Sequence, residues 1–280
     1  INPDFTVEDV AFNGSTGVAS SCSGARYVPI DESIDASGLV MTGPNTLTIA
    51  GRGLPTFWLP APGSSSIASP EVPSNGIVHA ASFKQRIAPG SLISIFGTDV
   101  SNEQMAAQNL PLPAQLGGSV ACIDGRVAPV LFASPGQVNV QMPYGVEPGA
   151  RQARFFNRSG GGGAVPLNVQ ATAPDAFRAD NGRGIAINPD GSLNGPGVGA
   201  APGEYVVVYL TGIGEVEPAV EAGAAALVDP LSLAKAETHA TIGGKSANLY
   251  YVGLTPGYAG LAQANIQVPD LPPGEHAVEI

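Results

Sequence analysis

The chain repeats itself, and the repeat constrains its fold more than any other feature. Gln137-Val138-Asn139-Val140-Gln141-Met142-Pro143 is echoed by Gln263-Ala264-Asn265-Ile266-Gln267-Val268-Pro269. Three more matches follow in the same order. Ala88-Pro89-Gly90-Ser91 and the run to Thr98 parallel Ala201-Pro202-Gly203-Glu204 and the run to Thr211. Val120 to Phe132 parallels Ala240 to Tyr251, each a pair of apolar runs around a glycine turn. Glu147-Pro148-Gly149 parallels Pro272-Pro273-Gly274. Ordered matches of this kind mark two copies of one module.

Each copy reads as a β-sandwich. In Leu92–Phe96 the residues Leu92, Ser94 and Phe96 face one way, and Ile93 and Ile95 the other. Tyr205 to Leu210 is apolar on both parities, as expected of a central strand covered on both faces. Val138, Val140 and Met142 alternate with Asn139 and Gln141 before Pro143 ends the strand. With Gly 37 and Pro 26, turn residues recur every eight to twelve positions or so, the spacing of an all-β sandwich. Only two short stretches read as helical, Asn102 to Leu110 and Gly223 to Lys235.

The boundaries follow from composition. Gly63 to Asn75 is polar and proline-spaced, a linker. The first sandwich is expected over residues 76–173 and the second over 174–280. Residues 1–62 form a β-rich unit or extension, with Leu39–Thr42 and Thr46–Ile49 as a hairpin around Gly43-Pro44-Asn45.

Charge excludes several functions. The net charge is −11, and the only lysines are Lys84, Lys235 and Lys245. Binding a phosphate backbone needs clustered cations, so nucleic acid is not an expected partner. Attraction to an anionic bilayer fails on the same ground. The longest apolar runs are strand-sized, so no membrane insertion is expected. The chain begins at Ile1 rather than Met and is read as processed or excerpted.

Several strings carry a resemblance. Gly76-Ile77-Val78-His79-Ala80-Ala81-Ser82-Phe83, then Ala88-Pro89-Gly90-Ser91-Leu92-Ile93-Ser94-Ile95-Phe96-Gly97, stand with Ser134-Pro135-Gly136-Gln137-Val138-Asn139. Asn188-Pro189-Asp190-Gly191-Ser192-Leu193-Asn194 and Leu254-Thr255-Pro256-Gly257-Tyr258 complete the set. Over residues 76–280 the chain resembles the Solibacter-type C-terminal domain family of secreted acidobacterial proteins. Its halves look like the IPT/TIG branch of immunoglobulin-like folds. The resemblance implies export and a β-sandwich fold, and it carries no catalytic residues.

The second copy departs from this pattern. After Pro148-Gly149 the first copy continues with a strand, a glycine turn and a closing strand from Ala164 to Ala171. After Pro273-Gly274 the second has only Glu275, His276, Ala277, Val278, Glu279 and Ile280. Either the sequence is cut short at this point, or the second sandwich lacks its closing strand and offers an unpaired edge to another extended segment. The expected donor is the stretch of another copy that holds Phe5, Val7, Val10 and Phe12, which would give a head-to-tail homopolymer.

The remaining constellations have plain readings. Cys22 and Cys122 lack CxxC spacing or a nearby His, so they are candidates for a disulfide rather than a metal site. His79, His239 and His276 are scattered, and no GxSxG or HExxH motif is present. Glu215 and Glu217 lie beside Pro218 in a loop and read as solvated. Gly243-Gly244-Lys245-Ser246 lacks the upstream glycine of a phosphate loop and reads as a hairpin turn. Asn188 to Asn194 has alternating oxygen side chains but no distal bidentate Glu, so it reads as a turn rather than a calcium loop. No enzyme and no cofactor is expected. The expectation is a secreted structural protein, a subunit of a filament or surface assembly. The alternative is a glycan-binding or adhesive module that contacts polysaccharide or a cell surface through Trp58, Tyr251 and Tyr258.

Overall fold

The structure, a computed structural model, describes residues 68–157 and 160–280. It also describes the backbone of the short strands Phe12–Asn13, Val18–Ala19, Leu39–Gly43, Thr46–Ile49 and Phe57–Trp58. The protein is all β: its strands form several sheets, and no helix occurs among the described residues. The two stretches read as helical are instead strand and turn. Met105–Ala106 pairs antiparallel with Phe132 and Ala133, and Leu233–Ala234 pairs with Val216–Glu217. Helices this short gain too few hydrogen bonds to nucleate alone, so pairing with a neighbouring strand wins.

The chain divides into two compact units that do not follow chain order. One contains Ser94–Pro143 and Ala150–Leu167, the other Val78–Ile93, Tyr144–Gly149 and Asn168–Ile280. Residues 68–77 belong to the first. In that unit Glu71, within the stretch read as a linker, exchanges backbone hydrogen bonds with Thr98. Leu39–Gly43 and Thr46–Ile49 form the expected hairpin, and Phe57–Trp58 pairs with Thr46–Ile49.

One five-stranded sheet runs in the order Ile77–His79, Leu92–Phe96, Gln137–Gln141, Val130–Ser134, Met105–Ala106. Ile93, Ile95, Val138, Val140 and Met142 are fully buried, so the alternation read in the sequence sets the core face. Another sheet joins Arg126–Ala128, Val120–Ile123 and Gly149–Asn157, which Val165–Val169 also pairs. Val165, Leu167 and Val169 are buried while Pro166 and Asn168 are exposed. That alternation identifies a strand laid over a core.

The second unit is built on a seven-stranded sheet. At its centre Ala262–Gln267 lies between Tyr205–Thr211 and Leu249–Leu254. Ala262, Ala264 and Ile266 are buried with Val206, Val208 and Leu210 in one cluster that Ile242, Val252 and Leu254 complete. The other face of the Tyr205 run is covered only in part: Tyr205 is exposed, and Val207 and Tyr209 are half-buried.

The repeat is visible register by register. Val130–Ser134 against Gln137–Gln141 carries a register shift between Val130 and Phe132. Leu249–Leu254 against Ala262–Gln267 carries the matching shift between Leu249 and Tyr251. Gln137 Nε2 donates to Asn139 Oδ1 at 2.9 Å, and Gln263 Nε2 donates to Asn265 Oδ1 at 3.3 Å. Both Pro-Gly turns place their glycine at positive φ, Gly90 at 74° and Gly203 at 90°. In each, the alanine N–H donates to the side chain three residues on: Ala88 to Ser91 Oγ and Ala201 to Glu204 Oε2. Ser and Glu fill one role because either oxygen satisfies an otherwise orphaned amide.

Candidate functional site

The edge strand Val278–Glu279 is the first candidate. It pairs antiparallel with Ala240–Ile242, Thr241 opposite Glu279 and Ile242 opposite Val278. The Gly243 N–H donates to the Ala277 carbonyl, and Thr241 Oγ1 lies 3.3 Å from Glu279 Oε2. Lys245–Ala247 covers the other side of Ala240–Ile242, so Val278–Glu279 closes a three-stranded sheet. Val278 is 40% exposed. The matching strand of the first copy, Gly149–Asn157, is flanked by Val120–Ile123 and by Val165–Val169. Among the described residues no strand flanks Val278–Glu279 in the way Val165–Val169 flanks its counterpart.

The other expected edge residues are placed as follows. Glu275 forms an ion pair with Arg183. The His276 ring lies 2.8 Å from the Pro272 carbonyl through Nε2. Ile280 packs half-buried against the core. Of the expected donor residues, Phe5, Val7 and Val10 lie outside the described residues. Phe12 stands in a two-residue strand opposite Ala19.

The aromatic candidates are not brought together. Trp58 lies in a strand whose side chains are outside the described residues. The Tyr251 hydroxyl donates to the Leu254 carbonyl, and burial raises its pKa. Tyr258 is exposed on the loop whose backbone bonds Ala226. A pair the sequence reading missed does meet: the Tyr205 and Tyr250 rings lie edge to face at 6.2 Å, both exposed. Tyr250 falls at the register shift, which turns it out of strict alternation, and strand parity alone gives no sign of that.

The polar motifs resolve into structural roles. Ile242 faces Lys245 across Gly243 and Gly244, both at positive φ, the geometry of a two-residue hairpin turn. In the Asn188 loop the Asn188 amide donates to Ser192 Oγ and the Val198 carbonyl, while its Oδ1 accepts from Asn194. Asp190 Oδ1 accepts from the Ser192 amide and hydroxyl, which lowers its pKa. Three of the loop's side-chain oxygens, Asn188 Oδ1, Asp190 Oδ1 and Ser192 Oγ, are engaged within the turn. Glu215 Oε1 accepts the Gly145 N–H at 2.8 Å. Among the described residues no group of three or more His, Cys, Asp or Glu side chains is placed to hold a metal ion.

Of the three histidines only His79 is buried, at 1% exposure. Its Nδ1 accepts the Ala81 N–H at 3.2 Å, with Ser82 Oγ at 3.5 Å. That acceptor role places the ring proton on Nε2, which sits by the Thr211 and Ala173 backbone without a well-formed hydrogen bond. Because the Nδ1 lone pair already holds a backbone amide, it is poorly placed to take a proton from Ser82. Burial lowers the His79 pKa below 6.5, outweighing the opposing influence of Asp175.

Cys122 is half of a disulfide. The sequence holds one other cysteine, Cys22, which lies outside the described residues. Cys122 is buried with Val120 and Phe156. Comparison of the chain with protein-family models finds no match, and neither does comparison with curated proteins.

Proposed function

We propose that this chain is an exported, non-enzymatic structural protein whose two repeats are immunoglobulin-like sandwiches of the IPT/TIG kind. It assembles when an extended segment of a neighbouring copy pairs along the outer flank of Val278–Glu279. One observation carries this reading: the matching strand of the first copy has its flank covered by Val165–Val169, whose alternate residues are buried. The first copy thus supplies the template for what the second accepts, an extended segment with apolar residues at every other position. Backbone hydrogen bonds would give affinity and the alternate side chains specificity. The segment holding Phe5, Val7, Val10 and Phe12 is the donor, with a bulge between Val7 and Val10 where its alternation breaks. The contact uses different surfaces on donor and acceptor, so it propagates head to tail.

Size-exclusion chromatography and negative-stain imaging test this directly. The protein is expected to form polymers that shorten to single particles in Val278→Pro, because proline removes an edge N–H. A peptide copying Ala164–Ala171 is expected to bind the same flank and block growth. Wild-type protein that stays as single globules at all concentrations sinks the proposal, as does assembly untouched by both perturbations.

A further inference from the structure

The central strand of the second unit, Ala262–Gln267, turns three amides to one face. Gln263, Asn265 and Gln267 alternate there with the buried Ala262, Ala264 and Ile266. In register beside them stand Tyr209, Val207 and Tyr205 on one flank, and Tyr251 opposite Asn265 on the other. None of these three strands carries a charged residue. At one end of the face the Tyr205 and Tyr250 rings meet at 6.2 Å with 66° between their planes, and they are 47% and 64% exposed. We propose that Tyr205, Tyr250, Gln267 and Asn248 form a binding site for a single neutral polysaccharide chain.

The polar part of the site is already oriented. Gln267 Nε2 donates to the Gly203 carbonyl at 3.0 Å, and Asn248 Nδ2 donates to Gln267 Oε1 at 2.9 Å. Each amide has two N–H donors and an oxygen with two lone pairs. The two bonds therefore hold both side chains in place and still leave donors and acceptors for a ligand. Sugar hydroxyls both donate and accept, so they match such amides. Side chains fixed beforehand lose little entropy on binding. A charged ligand would find no counter-charge on these strands, and the net charge of −11 repels polyanions.

Packing alone does not call for tyrosine at these positions. The first copy holds Leu92 where the second holds Tyr205, and Leu131 where the second holds Tyr250. Leu131 and Tyr250 occupy the same place in the matching register shifts, so the strand pairing forms with either residue. What tyrosine adds is a flat ring that the C–H face of a sugar can cover. The angle between the rings selects the ligand's shape. A flat crystalline surface cannot lie on two rings set at 66°, whereas a twisted soluble chain turns successive units to meet each one.

The test uses the full chain on an array of neutral hexose and N-acetylhexosamine oligomers with sialylated, sulfated and phosphorylated counterparts. A parallel pull-down uses crystalline cellulose. The best neutral oligomer is then titrated against variants. Binding to neutral soluble oligomers is expected, weakened about ten-fold or more in the double variant Tyr205→Leu, Tyr250→Leu and in Gln267→Ala. The leucines are those the first copy already carries, so the melting temperature is expected to stay near wild type. If the double variant folds poorly, Tyr250→Leu alone carries the test, with the same expected loss. Tyr258→Ala is expected to bind as wild type. Binding to none, binding only to charged glycans or to the crystalline surface, or full binding by the leucine variants overturns the proposal. The inference stands apart from assembly: a Val278→Pro monomer is expected to bind the same oligomers.

Discussion

At the scale of the residue, His79 links protonation to folding. Its neutral ring accepts a backbone amide at Nδ1 inside a buried turn, and protonation would remove that acceptor. Two charges act on it: Asp175 favours the protonated form, and Arg86 opposes it. Burial dominates and lowers the folded-state pKa below 6.5. Between the folded and unfolded values the unfolded chain binds more protons, so stability rises with pH there. The His79 contribution is therefore complete above about pH 6.5 and is lost as pH falls toward the lowered value. Denaturant midpoints measured from about pH 8 to pH 5 are expected to fall in wild type. In His79→Gln this part of the dependence is expected to vanish, with a loss of about 1–3 kcal/mol at the upper end. The sequence showed an isolated histidine in a resemblance motif. Its role depends on where the Ala81 amide points, which no spacing reveals.

At the scale of the element, two glycines that look alike in sequence do unequal work. Gly212 follows the strand Tyr205–Thr211 at φ +90°, and a Cβ there would stand 2.3 Å from the Ala173 carbonyl oxygen. The Gly212 carbonyl also accepts the Ala173 N–H at 2.8 Å. Gly257 has φ +81° with nothing within 4 Å of a Cβ. Gly212→Ala is expected to cost about 2–4 kcal/mol, combining backbone strain with a collision against main chain. Gly257→Ala carries the strain alone and is expected to cost about 1 kcal/mol. Thermal melts of the two variants side by side check the difference. What separates the two is what a Cβ would meet: the Ala173 backbone and the His79 ring at Gly212, and nothing at Gly257. The Gly243-Gly244 turn was legible, because a two-residue loop between apolar runs has few other solutions.

At the scale of the whole molecule, the disulfide at Cys122 acts on the unfolded chain. A crosslink closing a long loop restricts the denatured ensemble, so reduction is expected to cost about 2–5 kcal/mol. Cys122→Ser is expected to melt where reduced wild type does, and reductant is expected to have no further effect on it. Differential scanning with and without reductant makes the comparison. The division into two units is a second property of this scale. Residues 78–93 belong to the first sequence repeat, yet they make their contacts in the second unit.

The sequence by itself determined the all-β class, the duplicated Gln-x-Asn-x-Gln strand with its inward Val138 and Val140 or Ala264 and Ile266, and the turns at Gly90 and Gly203. These follow from side-chain period and φ preference, which are properties of neighbouring residues. The tertiary structure alone decided that Tyr205 meets Tyr250 and that His79 is buried against the turn it organises. Those juxtapositions join residues far apart along the chain. Local preference cannot specify them, because they arise only when hydrophobic burial has chosen which strands lie side by side.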